Sequence, residues 1–273
     1  GADFPSTDEA VQMAAALEGT QSYVQREIRA SIYPELEVKY SYSILYNGFS
    51  CDIPEDQIDA VKALPFVEDV MSVKKSAVPR LSRAAGLGGA PAYYDATGCT
   101  GEGQVIAIID TELDVTHPMF AALDENVDVK LTQADIAEIA DGIGFNVDID
   151  PAKAYLSSKL PFVIDYVDDP YEGLPDESIL HGTHVAGIAA GNAYTDADGT
   201  VFSGIAKNAQ IVFMAASDSA SGGYLVEDAY MAAMEDAVKL HADVINMSFG
   251  SNGELYEYGE ALGEIGRASC RER

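Results

Sequence analysis

Gln104-Val105-Ile106-Ala107-Ile108-Ile109-Asp110 is the stretch from which the fold is read. It holds five consecutive apolar residues, most of them β-branched. Such a run has no solvent face, so it belongs to a strand covered on both sides, as the strands of parallel sheets are. The acid that closes it falls at the strand's carboxyl end, where open α/β sheets place ligands and chemistry. Taken alone, Asp110 serves equally well as a turn or helix N-cap residue. Gly101-Glu102-Gly103 precedes the strand instead of following it, so the phosphate-cradling turn of a dinucleotide site is not formed.

Downstream, the pattern alternates. Residues 121–180 form a long acidic region with a helix near 133–140 and a strand at 162–166. A small-residue helix begins at His181, a strand runs over Ile211–Ala215, a helix over Val226–Leu240, and a second buried strand over Ala242–Ser248. Strands alternating with helices predict an α/β fold with a doubly wound parallel sheet. Asp196-x-Asp198-Gly199 reads first as a solvated turn; two ligands of a structural calcium are the lesser reading, since the remaining ligands of an EF-hand are missing. Asp114 and His117 are read as residues that shape the loop after Asp110.

Upstream, residues 1–34 carry one helix from about Asp8 to Ala30, closed by Pro34. Val38, Tyr40, Tyr42 and Ile44 alternate with polar residues as in a half-buried strand, and Asn47-Gly48 turns the chain into a second. Pro54 opens a short helix, and Val67–Val73 is expected to return as a third strand. Residues 35–80 therefore read as a small α+β unit. Residues 74–98, with Lys74, Lys75, Arg80, Arg83 and a Gly-rich run, read as an exposed linker.

Composition narrows the function. With 16 Lys+Arg against 45 Asp+Glu, the net charge of −29 repels nucleic acid and anionic lipid, so neither is expected as a partner. No apolar run reaches the roughly 18 residues of a membrane span. The three cysteines, 51, 99 and 270, make neither a disulfide framework nor a zinc spacing. Residues 264–273 resemble the translation of a sequencing-library adapter and are set aside as read-through. The natural chain is therefore expected to continue past Gly263, and the N-terminus, which lacks an initiator Met, to be processed or incomplete.

His181-Gly182-Thr183-His184-Val185-Ala186-Gly187-Ile188-Ala189-Ala190-Gly191 puts an imidazole at the mouth of a helix whose glycines admit close backbone approach. A lone histidine there fits a structural or capping role as well as a proton shuttle. His181 and His184 are three apart, whereas the helical zinc motif needs four and a glutamate, so no metal site is expected. Asp110, His181 and Ser248-Phe249-Gly250 all fall at strand ends or at a helix mouth, and Asp before His is the chain order of one Ser-His-Asp triad.

These blocks resemble the subtilisin-like serine peptidases. Residues 105–111 are similar to the family's aspartate block, 181–191 to its histidine block, and Asp243–Gly250 to its substrate-binding strand. The long interval between Asp110 and His181 is similar to the cell-envelope, lactocepin-like branch. The resemblance implies a secreted or cell-envelope serine endopeptidase acting on protein or peptide substrates, with no required cofactor. It implies catalytic roles for Asp110 and His181, and substrate binding by Ser248, Phe249 and Gly250 together with Ser221, Gly222 and Gly223. It further implies that residues 35–80 are a ferredoxin-like, inhibitor-type propeptide, 81–100 a linker and processing region, and 101–263 the N-terminal part of the catalytic domain. Two positions depart from the pattern. Glu112 stands where the family has glycine, and the Gly-Thr-Ser nucleophile block is absent. The chain as given is thus expected to lack triad activity, and Glu112 motivates a non-catalytic secreted binding protein as the alternative.

Overall fold

The computed structural model describes residues 7–71, 73, 75–76, 90–171, 180–196, 199–221 and 223–250. Gly222, Asp198 and the 264–273 tail lie outside the described residues. The chain opens with α1 (Asp8–Ser31), whose first turn is capped by the Thr7 hydroxyl accepting from Ala10 N at 3.2 Å. An antiparallel hairpin follows, β1 (Glu37–Tyr42) with β2 (Gly48–Asp52), then the short α2 (Ile58–Lys62). Val24 and Ile28 of α1 bury against Leu36 and Val61, giving this unit its own small core.

The third strand expected over 67–73 does not form among the described residues of that stretch. The chain leaves α2 through a turn in which Phe66 adopts φ +70°, and residues 67–71 stay irregular. The strand that comes next, β3 (Lys75–Ser76), pairs elsewhere. The stretch read as linker also holds a helix, α3 (Ala90–Thr97), with Pro91 in its first turn, where a missing N–H costs nothing.

The remaining elements are β4 (Val105–Asp110), α4 (Gln133–Asp141), α5 (Pro151–Ala154), β5 (Phe162–Asp165), α6 (His181–Ala190), the hairpin β6 (Tyr194–Thr195) and β7 (Val201–Phe202), β8 (Gln210–Ala215), β9 (Ser217–Asp218), β10 (Tyr224–Val226), α7 (Glu227–Lys239) and β11 (Val244–Met247). Four strands make one parallel sheet in the order β11-β4-β8-β5. The period of two along each strand divides the core between its faces. Val105, Ala107 and Ile109 of β4, with Val212 and Met214 of β8, pack under α7 through Ala229, Ala232, Ala233 and Ala237. Ile108, Ile211, Phe213 and Ala215 pack on the other face under Ala186 and Ala190 of α6. This is the α/β architecture expected from the apolar run of β4.

Among the described residues, four joins tie the N-terminal unit to the rest of the chain. β3 adds antiparallel to β10, which itself pairs with β9. The Tyr42 hydroxyl donates to Asp228 O at 2.9 Å, and the Tyr40 hydroxyl donates to Tyr166 O. Glu235 of α7, almost wholly buried, accepts N–H groups of Ser43, Ile44, Leu45 and Tyr46 at 3.0–3.4 Å.

Candidate active site

Asp110 ends β4 with no exposed surface, and His181 begins α6. Their side chains meet although 71 residues separate them, with His181 Nδ1 2.7 Å from Asp110 Oδ1. An ionised carboxylate only accepts, so the contact assigns the proton to Nδ1 and makes Nε2 the basic nitrogen. The same Oδ1 accepts Thr111 N at 2.7 Å, which fixes the carboxylate's orientation. Oδ2 is buried and has no hydrogen-bond partner among the described residues. The imidazole keeps 17 % exposure, enough to reach a partner at the rim of the sheet.

The junction between β4 and α6 explains why two such distant residues meet. Gly182 sits where an added Cβ would lie 2.6 Å from Phe213 Cζ, 2.7 Å from Glu112 O and 3.3 Å from Asp110 Cβ. Only a residue without a side chain lets the helix mouth descend this far onto the strand end. Leu180 precedes the helix and offers no capping side chain, so the Gly182 N–H is satisfied from outside, by Thr111 Oγ1 at 2.9 Å. Thr183 Oγ1 accepts Asp114 N at 2.7 Å and donates to Glu112 O at 3.4 Å. Neither threonine was singled out from the sequence. The available signal was the helix start itself, which carries no cap of its own and so needs a hydroxyl from elsewhere.

Glu112 occupies the family's glycine position with an ordinary backbone. Among described non-glycine residues only Phe66 and His241 adopt positive φ. Its side chain is buried beside the sheet's carboxyl edge, and its charge, after burial itself and Asp168, helps push the Asp165 carboxyl up to about 6. Asp165 Oδ1 accepts Val167 N at 2.8 Å and Asp168 N at 3.0 Å, which partly offsets that rise. Asp114 and His117 shape the loop as expected. The Asp114 carboxylate accepts from Thr116 N and its hydroxyl, and His117 Nδ1 accepts Met119 N.

The residues expected to bind substrate lie in two segments. Ser248 and Phe249 follow β11. The Ser248 hydroxyl accepts Asn246 Nδ2 at 2.9 Å, and the Phe249 ring packs against Tyr230 in the first turn of α7, centroids 5.1 Å apart and the planes tilted by 44°. Gly250 is exposed. Ser221 closes a 3-10 turn between β9 and β10, and Gly223, with φ +81°, donates its N–H to Asp218 O at 3.1 Å. Asp196 accepts Thr200 N and closes the β6–β7 hairpin. Among the described residues no three His, Cys, Asp or Glu side chains converge as a metal site would require.

Comparison with known proteins decides the family. The profile of the subtilase family, peptidase S8, matches residues 101–271. The chain belongs to the subtilase family. This subtilase chain is 29% identical over 256 residues to the PI-type proteinase of Lactococcus lactis subsp. cremoris, covering 92% of this chain and 13% of that protein. It is 30% identical over 256 residues to the PII-type proteinase of Lacticaseibacillus paracasei, with the same coverage of 92% and 13%. A C5a peptidase of Streptococcus pyogenes serotype M3 is 29% identical over 157 residues, 57% of this subtilase chain and 13% of that protein. The chain thus spans about 13% of the length of these curated relatives. The likeness to the lactococcal proteinase extends over nearly all of it, as the lactocepin-like resemblance implied.

Proposed function

We propose that this chain is part of a secreted or cell-envelope serine endopeptidase that cleaves peptide bonds with a Ser-His-Asp triad, contributing its Asp110 and His181. The observation that carries the reading is the 2.7 Å contact between His181 Nδ1 and the buried carboxylate of Asp110. In this mechanism a nucleophilic serine, whose sequence block the chain as given does not contain, attacks the peptide carbonyl. His181 Nε2 takes its proton and returns it to the leaving amine, and Asp110 holds the tautomer and stabilises the imidazolium. Ser248–Gly250 and Ser221–Gly223 would pair an extended substrate through backbone hydrogen bonds, which tolerates many side chains. Glu112, the motive for a non-catalytic reading, leaves the Asp110–His181 contact intact.

The N-terminal unit, residues 35–80, serves in this reading as an intramolecular inhibitor. Two contacts support it: β3 adds a strand to β10, which adjoins the 221–223 segment, and Glu235 grips the β1–β2 loop. The test is the complete reading frame expressed with His181→Ala and with Asp110→Asn. Each variant should lose about 10⁴-fold or more of peptide turnover. Undiminished cleavage by the His181 variant would end the assignment.

A further inference from the structure

We propose that Thr111 and Thr183 are positioning residues that set the distance between Asp110 and His181. The proposal rests on the reading of that pair as the acid–base couple. Thr111 acts on both partners at once. Its N–H holds Asp110 Oδ1, the oxygen that also accepts His181 Nδ1, while its buried Oγ1 accepts the N–H of Gly182, the residue after the histidine. Thr183 returns the connection from the helix. Its Oγ1 accepts Asp114 N and donates to Glu112 O, on the loop that follows the aspartate.

The two threonines therefore cross-link strand end and helix mouth in opposite directions, one hydroxyl from the strand end and one from the helix. A β-branched side chain has few χ1 states, so each hydroxyl is held where its partner needs it. Because Leu180 gives α6 no cap, the helix mouth has no competing local anchor for its Gly182 N–H. Valine at 111 keeps the shape and removes the acceptor. The helix mouth can then shift by a fraction of an ångström, which is enough to lengthen a 2.7 Å contact.

The test is ¹⁵N-histidine NMR on this chain, reading the ring-nitrogen shifts of His181 and the water exchange of its Nδ1 proton. The wild type and Thr111→Ser should share a Nδ1–H tautomer with a protected ring proton. Thr111→Val should shift the tautomer balance and speed ring-proton exchange at least tenfold, with the circular dichroism spectrum unchanged. A folded Thr111→Val with the wild-type ring spectrum overturns the proposal. Where Thr111→Val unfolds the chain, Thr183→Val reads the same link from the helix side, and an unchanged ring there overturns it equally. Asp110→Asn separates the two ideas. If it leaves His181 unaltered, the acid–base reading falls. If it alters His181 while both valine variants do not, only the threonine role falls. In the complete enzyme Thr111→Val should lower kcat about tenfold with KM unchanged, and a change confined to KM would refute positioning.

Discussion

Gly182→Ala and Gly187→Ala make the same chemical change on one helix and should move stability in opposite directions. At Gly182 the new methyl would meet Phe213 Cζ at 2.6 Å and the carbonyl oxygen of Glu112 at 2.7 Å. Phe213 is 1% exposed in the middle of β8 and has no room to withdraw, and the carbonyl is backbone. Overpacking of this kind costs about 1–3 kcal/mol, against a helix-propensity gain of at most about 1 kcal/mol. At Gly187 the nearest atoms are Met119 Sδ at 3.8 Å and Cε at 3.9 Å, ordinary contact with a flexible side chain. There only the propensity gain remains. The propensity gain is common to both, so the two variants should differ by about 1–3 kcal/mol, which for a chain of this size separates their melting temperatures by roughly 2–10 °C. Thermal unfolding followed by circular dichroism measures the difference. A Gly182 variant melting at or above the Gly187 variant would refute the close approach on which the site geometry depends.

Glu235→Gln removes the charge that four N–H groups of residues 43–46 address, and should weaken the hold on the β1–β2 loop by about 1.5–3 kcal/mol. Faster limited proteolysis within 43–47 checks this, and an unchanged cleavage rate contradicts it. Asp165, raised from 3.8 to about 6 mainly by burial, binds its proton more tightly folded than unfolded. Stability from this group therefore falls as pH rises from about 4 to 6 and is flat above. Asp165→Asn should abolish that slope and leave the chain up to about 3 kcal/mol more stable at pH 7.5, read from denaturant midpoints. Lys159 has no exposed surface and gives its ammonium to Lys207 O and Ala209 O at 2.8 and 2.7 Å, and burial lowers it to about 7. The unfolded state then holds the extra proton between about 7 and 10.5, so stability rises with pH across that window. Lys159→Met should remove the rise, and a wild-type profile that is flat there would show the burial penalty to be absent.

What could be read from the sequence follows from the range of the physics involved. The apolar run of β4 and the small-residue helix α6 are local patterns, and each strand's burial on two faces follows from its own residues. The Asp110–His181 pair was legible because a short motif surrounds each member. The misreadings came where local composition competed with distant partners. Val67, Val70 and Val73 are rich in branched side chains but spaced by three, and a strand needs alternate residues on one face. The strand that does form, β3, is defined by its partner β10 far along the chain. Ala90–Thr97 lay hidden behind glycines that read as linker, although Pro91 is a residue that helix starts favour. Thr111 and Thr183 were invisible for a related reason. A threonine after an acid is unremarked until an uncapped helix, 71 residues later, presents its N–H to that hydroxyl. The motif residues carry the family resemblance, but the distance between them is a property of the junction. It is therefore at residues 111, 182 and 183, which carry no charge, that the geometry of the couple is most open to change.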